Sequence, residues 1–267
     1  MPETPNRESE MQRDASSKKE QWQKIVEEIE RTADGLGYSI EKGIFDVVVG
    51  LNATGFLTRQ SCEGHVDWGR ISPWIDIVNP GEPAKQYNNQ DQIYQEIAKE
   101  SGIPAQDIER AVDDTAFEAW LKAQGKLDAQ GYTFEYQEWL KKNVELAKRV
   151  HDLVNEYNKD KGLAGNIRIM VEVGKSDVTI YNGGEDYGSQ EKQRTQEEKE
   201  KLGRQLEEYR KEFKKFAEFL EKKFFEEKKI EAQITPEVGE LAFDGKYLED
   251  LKKRVDDERV KINRGEI

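Results

Sequence analysis

A long amphipathic helix in the last third of the sequence does most to constrain the fold. Residues 189–229 are highly charged, yet large apolar residues recur through them at steps of three and four, which is helical spacing. The stripe consists of Leu202, Leu206, Tyr209, Phe213, Phe216, Leu220 and Phe224. Coiled-coil seams favour Leu, Ile and Val, whereas phenylalanines usually bury against a broader surface. The pattern therefore favours packing of this helix on its own domain over dimerisation.

Four short segments show the alternation and residue types of β-strands. They begin at Phe56, Trp74, Asn166 and Val178. Turn residues at 174–177 join the last two segments into a predicted hairpin. Helical periodicity covers residues 22–33, 40–51, 91–121 and 134–157. The sequence predicts an α+β fold, with a small mixed or antiparallel sheet covered by helices and the long charged amphipathic helix after the sheet.

The predicted organisation has four parts. Residues 1–20 are polar, charged and rich in helix breakers, which predicts a disordered arm. Residues 21–188 are expected to form the α+β domain, and residues 189–229 the long helix. Residues 230–267 are expected to add a strand and a helix that pack on the main domain.

The charge balance and the cysteine count limit the classes of partner and compartment. With 55 acidic and 42 basic residues the formal net charge is -13, which repels nucleic acid and argues against non-specific binding to it. One cysteine cannot form an intramolecular disulfide, and no apolar run is long enough for a membrane span. We expect a cytoplasmic protein without a membrane partner.

The sequence Ser-Cys-Glu-Gly-His at residues 61–65 is the densest group of chemically active side chains. Cys62, Glu63 and His65 can exchange protons or bind a metal, and Asp67 follows two residues later. Gly64 permits a bend with positive φ that turns His65 back toward Cys62. These residues are the candidate catalytic group, with Cys62, Glu63 and His65 in the catalytic roles.

Further residues around this segment are candidates for ligand binding. Hydroxyl, amide and charged groups lie at Thr58, Ser61, Gly64 and Asp67, and the aromatic residues Trp68 and Trp74 would supply an apolar wall. We expect these groups to hold a small molecule or a nucleotide in a loop between two strands.

Three active roles compete for the segment. A Cys62 nucleophile activated by His65 is weakened by their closeness in sequence and by the lack of a partner to orient the imidazole. A metal site lacks a second pair of Cys and His ligands, since the other histidine is His151, and would need carboxylates such as Glu63 or Asp67. The third role is ligand recognition. Against all three stands a structural interpretation, in which Cys62 is a small buried residue and His65 a hydrogen-bonded loop residue.

Several short stretches resemble the tRNA wybutosine-synthesising methyltransferase family, whose members methylate a tricyclic guanine base with S-adenosylmethionine. The matching stretches are Leu51-Asn52, Phe56 to His65, Trp74 to Ile77 and Arg168 to Val171, in the family's order. The resemblance covers residues 44–181 and implies a related fold; S-adenosylmethionine as a cofactor and a transferase activity are implied by it alone. Glu63-Gly64-His65 replaces the family's Ser-Gly-Arg, which removes positive charge and indicates a ligand other than tRNA.

Taken together, these observations predict a protein that binds a small molecule or a nucleotide at the 61–65 segment. The sequence does not decide whether it is an enzyme; a transferase is the activity that the resemblance implies. Two alternatives remain. One is a non-catalytic interaction protein that docks a partner or a second copy through the stripe at 202–224. The other is a metal-dependent enzyme with Cys, His and carboxylate ligands, although no metal ligand is assigned.

Overall fold

A computed structural model describes residues 7–33, 38–67, 69–159, 161–183 and 194–226. Within these ranges the chain forms seven helices and four strands. In chain order they are α1 (Arg7–Glu30), α2 (Lys42–Ala53), β1 (Thr58–Cys62), β2 (Trp74–Ile77), α3 (Gln90–Ser101), α4 (Ala105–Arg110), α5 (Asp114–Gln130), α6 (Phe134–Asn158), β3 (Ile169–Val173), β4 (Val178–Asn182) and α7 (Gln196–Glu226). None of these helices is long and apolar enough to cross a membrane.

The four strands form one antiparallel sheet in the order β1-β2-β4-β3. Cys62 lies opposite Trp74, Trp74 lies opposite Tyr181, and Val173 pairs with Val178 across the predicted hairpin. The register shifts between Thr58 and Gln60, so β1 carries an irregularity near its start. The α+β prediction is confirmed, and of the two sheet types that the sequence allowed, the antiparallel one is present.

The chain divides into two compact units, and each has its own core. One, here called the sheet unit, takes its described residues from 1–78 and 145–267; the other, the helical unit, is residues 79–144. The sequence predicted a single domain over 21–188 and a separate helix after it. The division differs because the apolar faces of α3, α4 and α5 bury against one another, in a cluster that includes Ile97, Ile108 and Ala123.

The core of the sheet unit lies between the sheet and three helices. Alternate strand residues such as Ile75, Ile77 and Ile180 face it, as period-two alternation requires. Helices α2 and α7 and residues 146–157 of α6 contribute the other side. The α7 side chains that fill this core are the predicted stripe, whose residues from Leu206 to Leu220 are at most 5% exposed.

The burial of most of this stripe argues against the alternative in which it docks a partner or a second copy, which stays a prediction. Phe213, Phe216 and Leu220 are fully buried in the sheet unit. At the end of α7, Phe224 packs against the Trp22 ring with centroids 5.4 Å apart. Phe213 and Phe216 are covered by the protein's own strands and helices, whereas Phe224 is partly exposed.

Helix α1 differs from the predicted disordered arm, because residues 7–20 of that arm are helical; its residues 1–6 lie outside the described part of the chain. The ammonium of Lys18 donates hydrogen bonds to the backbone oxygens of Phe224 (2.9 Å) and Phe225 (3.1 Å). These carbonyls belong to the last turn of α7, where helix oxygens lack intrahelical partners and a cation is favourable. Docking compensates for the low apolar content that suggested disorder. The predicted segment at 230–267 lies outside the described residues.

One buried carboxylate interrupts the apolar character of α7. Glu212 is 1% exposed, and its Oε1 accepts a hydrogen bond from the Tyr157 hydroxyl at 2.5 Å. Lys161 and Lys215 lie 3.3 and 3.1 Å from its two oxygens. Burial and the neighbouring Glu212 raise the pKa of Tyr157, so its hydroxyl keeps the proton that it donates. The charge of Glu212 is thus compensated inside the fold.

We expect Phe213→Ala to lower the free energy of unfolding by about 3–5 kcal/mol, because it leaves a cavity in a closely packed core. Chemical denaturation followed by circular dichroism measures the loss. Leu57→Ala, at a side chain that is 45% exposed, is the control and should stay within about 0.5 kcal/mol of the parent. If Phe213→Ala instead dissociated an oligomer without loss of stability, the stripe would be an interface after all.

Candidate functional site

The predicted segment at residues 61–65 ends β1 and then passes the N-terminus of α2. Gly64 has φ +80°, and a Cβ placed on it would lie 2.1 Å from the backbone oxygen of Ile71. Only glycine fits this bend without strain. After the bend, the His65 N–H donates to the Arg70 oxygen at 3.0 Å, which closes the loop. The expected positive-φ turn is therefore present.

Glu41 is the residue around which the segment is organised, and it precedes α2 as the N-cap. Its Oε1 lies 2.7 Å from Nε2 of His65, and its Oε2 accepts the Glu63 N–H at 2.7 Å. The same carboxylate acts on the Cys62 thiol, whose pKa it helps to raise. One ligand atom from each of Glu41, Cys62 and His65 can be chosen so that the three atoms lie within 4.8 Å of one another.

Sequence reasoning missed Glu41, which lies 21 positions before Cys62. Its signal was an acidic residue at the start of a predicted helix, a position that usually serves to cap the helix. Its side chain makes no such cap bond here. The sequence alone does not show that the Glu41 carboxylate turns away from α2 and toward β1.

Glu63 has a different environment from the one that a proton-transferring group needs. Its Oε2 accepts the Gly43 N–H of α2 at 2.7 Å, and its Oε1 lies 2.8 Å from a terminal nitrogen of Arg210. A Cβ on Gly43 would come within 2.5 Å of that Oε2, so the close approach depends on glycine. Arg210 also donates to the backbone oxygens of Glu63 and Gly64. With both carboxylate oxygens engaged, Glu63 has the contacts of a positioning residue.

Several of the predicted ligand-binding residues that the structure describes have partners of their own. The Thr58 hydroxyl accepts a hydrogen bond from Asn52 at 2.9 Å, and Ser61 is partly exposed. The Asp67 carboxylate lies 2.7 Å from the Lys199 ammonium, which lowers the pKa of Asp67.

Of the two predicted tryptophans, the structure describes Trp74. Trp74 packs against Met170 and Tyr181 in a cluster of its own. The Arg70 guanidinium lies over the Trp74 ring, 5.3 Å from its centroid. Trp68 lies outside the described residues. Trp74 is also the cross-strand partner of Cys62, so its side chain and that of Cys62 lie on the same face of the sheet. The apolar wall formed with Trp68 stays a prediction.

The Cys62 thiol is held in its protonated form. Burial is the main cause that raises its pKa, to about 11, and the neighbouring carboxylates Glu41 and Glu63 add to the effect. The Gly64 N–H, 3.4 Å from Sγ, acts in the opposite direction and is weaker. Cysteine nucleophiles have lowered pKa values, so this environment is unfavourable for the hypothesis of a Cys62 nucleophile.

His151, the other histidine, is separate from this group and lies on α6, where its Nδ1 is 3.0 Å from the Asn155 amide nitrogen. That placement agrees with a hydrogen-bonded histidine at the edge of a core.

Comparison with protein-family models, with curated proteins and with solved structures finds no match. The resemblance to the wybutosine methyltransferases is not tested by this result, and it stays a prediction. The function must accordingly be inferred from the chemistry of the site.

We expect Gly64→Ala to destabilise the protein by more than about 3 kcal/mol, since it combines left-handed backbone strain with a clash against the Ile71 oxygen. Gly69→Ala is a matched control, because Gly69 also has positive φ (+66°) but has nothing within 4 Å of an added Cβ. It should cost about 1–2 kcal/mol. Equal losses in thermal or urea unfolding would show that the loop does not approach Ile71 as described.

Metal-free protein should alkylate slowly at Cys62. With the pKa raised from 9.0 to about 11, the thiolate fraction at pH 8 falls about a hundredfold relative to an ordinary cysteine. The rate with iodoacetamide should rise through pH 9 and 10 and should increase in Glu41→Gln, which removes a nearby negative charge. A denatured sample of the same protein supplies the reference rate. A fast, pH-independent reaction near neutrality would restore the nucleophile hypothesis.

Proposed function

We propose that this protein binds a divalent transition-metal ion through Glu41, Cys62 and His65. The observation that carries the proposal is the convergence of a carboxylate, a thiol and an imidazole, with one ligand atom of each within 4.8 Å of the others. Thiol, imidazole and carboxylate are the ligand types of zinc, and together they exclude a preference for Mg²⁺ or Ca²⁺, which select oxygen. This is the metal-dependent alternative of the sequence analysis, with Glu41 as the carboxylate in place of Glu63 or Asp67.

The distances agree with a metal site after a small adjustment. Ligand atoms around a tetrahedral zinc ion lie about 3.3–3.6 Å apart, given bond lengths of about 2.0–2.3 Å. Glu41 and His65 are 2.7 Å apart and would separate by about 0.6 Å on binding. Such a movement is within the reach of side-chain rotation, because Glu41 is 33% and His65 18% exposed.

The surroundings supply the outer contacts that metal ligands need. The Glu63 N–H holds Oε2 of Glu41, which leaves Oε1 as the ligand atom. Glu63 is itself fixed by Gly43 and Arg210. Outer-shell hydrogen bonds of this kind fix the orientation of ligands and are a regular part of metal sites.

Three protein ligands leave one tetrahedral position for water or a substrate oxygen, which is the arrangement of catalytic zinc sites. A bound ion would act there as a Lewis acid and lower the pKa of its water to near 7. The reaction class favoured by this chemistry is metal-assisted hydrolysis, with Glu41, Cys62 and His65 as ligands.

The other expectations stay predictions. Recognition of a nucleotide or another small molecule by residues 58–74, a transferase activity, S-adenosylmethionine as cofactor and a cytoplasmic location have no separate support. The metal proposal is preferred because Glu41, Cys62 and His65 point toward one another, whereas Thr58 and Asp67 are engaged elsewhere.

Cobalt(II) provides a sharp test, since the chain has one cysteine and any thiolate-to-cobalt charge-transfer band must come from Cys62. Untagged protein titrated with Co²⁺ should develop this band together with visible bands of tetrahedral intensity, and should bind one ion. Cys62→Ala should abolish the charge-transfer band. Glu41→Gln and His65→Ala should weaken binding at least about tenfold, as expected for loss of a ligand or its orientation.

Two variants serve as controls for this titration. His151→Ala removes the other histidine, and Asp67→Asn removes an exposed acid of the same loop; both should bind cobalt as the parent does. Binding should release protons and become tighter as the pH rises, because the thiol must ionise. Absence of the charge-transfer band in folded parent protein at pH 8 would refute the proposal.

A further inference from the structure

A groove runs between α1, α2 and α7 in the sheet unit, separate from Glu41, Cys62 and His65. Its volume is about 200 Å³. Apolar and aromatic side chains line it: Trp22, Val26, Phe45, Val49 and Ala217. Val49 and Ala217 are buried, while Trp22, Val26 and Phe45 are partly exposed. The groove therefore offers an apolar interior that is open to solvent.

The charged residues around this groove are mostly acidic. Asp46 from α2 and Glu218 and Glu221 from α7 line it together with one cation, Lys214. Three negative charges against one positive charge leave a balance of -2. Within the described part of the chain, none of these four residues forms an ion pair.

Other lysines of α7 are paired with carboxylates outside the groove, so Lys214 compensates only part of the negative charge of the rim. Lys215 is paired with the buried Glu212, Lys222 with Glu226, and Lys223 with Glu156 of α6. Carboxylates beside low-dielectric apolar walls give a stronger negative potential than they would in open water.

We propose that this groove binds a small organic monocation, an amine with one aromatic ring or a short alkyl body. The apolar walls accept the body, and the acidic rim accepts the ammonium group. Trp22 and Phe45 add ring faces that attract cations. The volume is below the roughly 300–1,000 Å³ of pockets for drug-sized ligands, which limits the ligand to a fragment of this size.

A metal ion is a poorer occupant of this groove than an organic cation. Among the described residues, the group of side chains close enough to share a metal ion is Glu41, Cys62 and His65, and it includes none of the groove's carboxylates. The three acids of the rim do not belong to a described group of residues close enough to share one ion. An organic cation needs no such group, because its ammonium is attracted by each nearby carboxylate while its body packs on the apolar walls.

The test is a titration of the full, isotope-labelled chain with 2-phenylethylammonium, followed by backbone and indole NMR shifts in the presence of a chelator. Shifts should appear at Trp22, Val49 and Ala217 in the millimolar range. The neutral 2-phenylethanol should bind more weakly, and the anion 3-phenylpropanoate should bind least. This order isolates the contribution of charge, because the three probes have similar apolar bodies.

Three variants test separately the contributions of the acidic rim and of the apolar walls to binding. Asp46→Asn should weaken binding of the ammonium probe about fivefold and leave 2-phenylethanol unchanged, since it removes one nearby charge at an exposed site. Ala217→Phe should block both probes by filling the groove. Glu200→Gln, about 27 Å from Glu218 along α7, is the matched control and should change neither.

Contrary outcomes are equally definite. The proposal would be overturned by equal affinity for the three probes or by shifts at residues outside the groove. It would also be overturned if no shift appeared at probe concentrations about 10-fold above the millimolar range. Shifts at Trp22 and Ala217 that depend on protein concentration without any probe would also overturn it, because a second copy of the chain would then occupy the groove. The result for Ala217→Phe counts only if the circular dichroism spectrum of this variant matches that of the parent, because Ala217 is buried. Asp46→Asn tests the role of the acidic rim whether or not Ala217→Phe folds.

Discussion

The capping of α2 by a carboxylate from another part of the chain is the interaction on which the site depends. Glu63 accepts the Gly43 N–H, which is an N-terminal donor that has no partner within the helix. Side chains that cap a helix contribute about 1 kcal/mol, and a negative charge at this end is favoured by the helix dipole. Because Glu63 fills this role, Glu41 at the cap position is free to turn toward Cys62 and His65.

The same carboxylate connects the loop to α7 through Arg210. That guanidinium binds Oε1 of Glu63 and the backbone oxygens of Glu63 and Gly64, so three acceptors of an irregular loop are satisfied by one side chain. Arg210 can hold them because the stripe from Leu206 to Leu220 fixes α7 against the sheet and α2. Apolar burial thus places α7, α7 places Arg210, and Arg210 holds the loop that carries Cys62 and His65.

Much of the fold could be predicted from periodicity. The stripe of α7, the hairpin of β3 and β4, and the helical character of residues 134–157 follow from repeats of 3.6 and 2.0 that any amphipathic element must show. The division at residues 79–144 could not be predicted, since apolar stripes indicate that a helix is buried but do not identify its partner. The helix over residues 7–20 could not be predicted for a related reason: their low apolar content says nothing of the Lys18 ammonium, which binds carbonyls at the end of α7.

The sequence by itself indicated the segment of the proposed site, because a cysteine and a histidine three residues apart can approach each other where a glycine between them permits a tight bend. It also determined the positive-φ turn at Gly64, which is a local property of the backbone. Only the tertiary structure decided what each group does. It sets Glu41 beside Cys62 and His65, engages Glu63 in capping and with Arg210, and raises the pKa of Cys62 by burial. These properties arise from contacts between residues 20 to 147 positions apart, and periodicity and composition carry no information on such contacts.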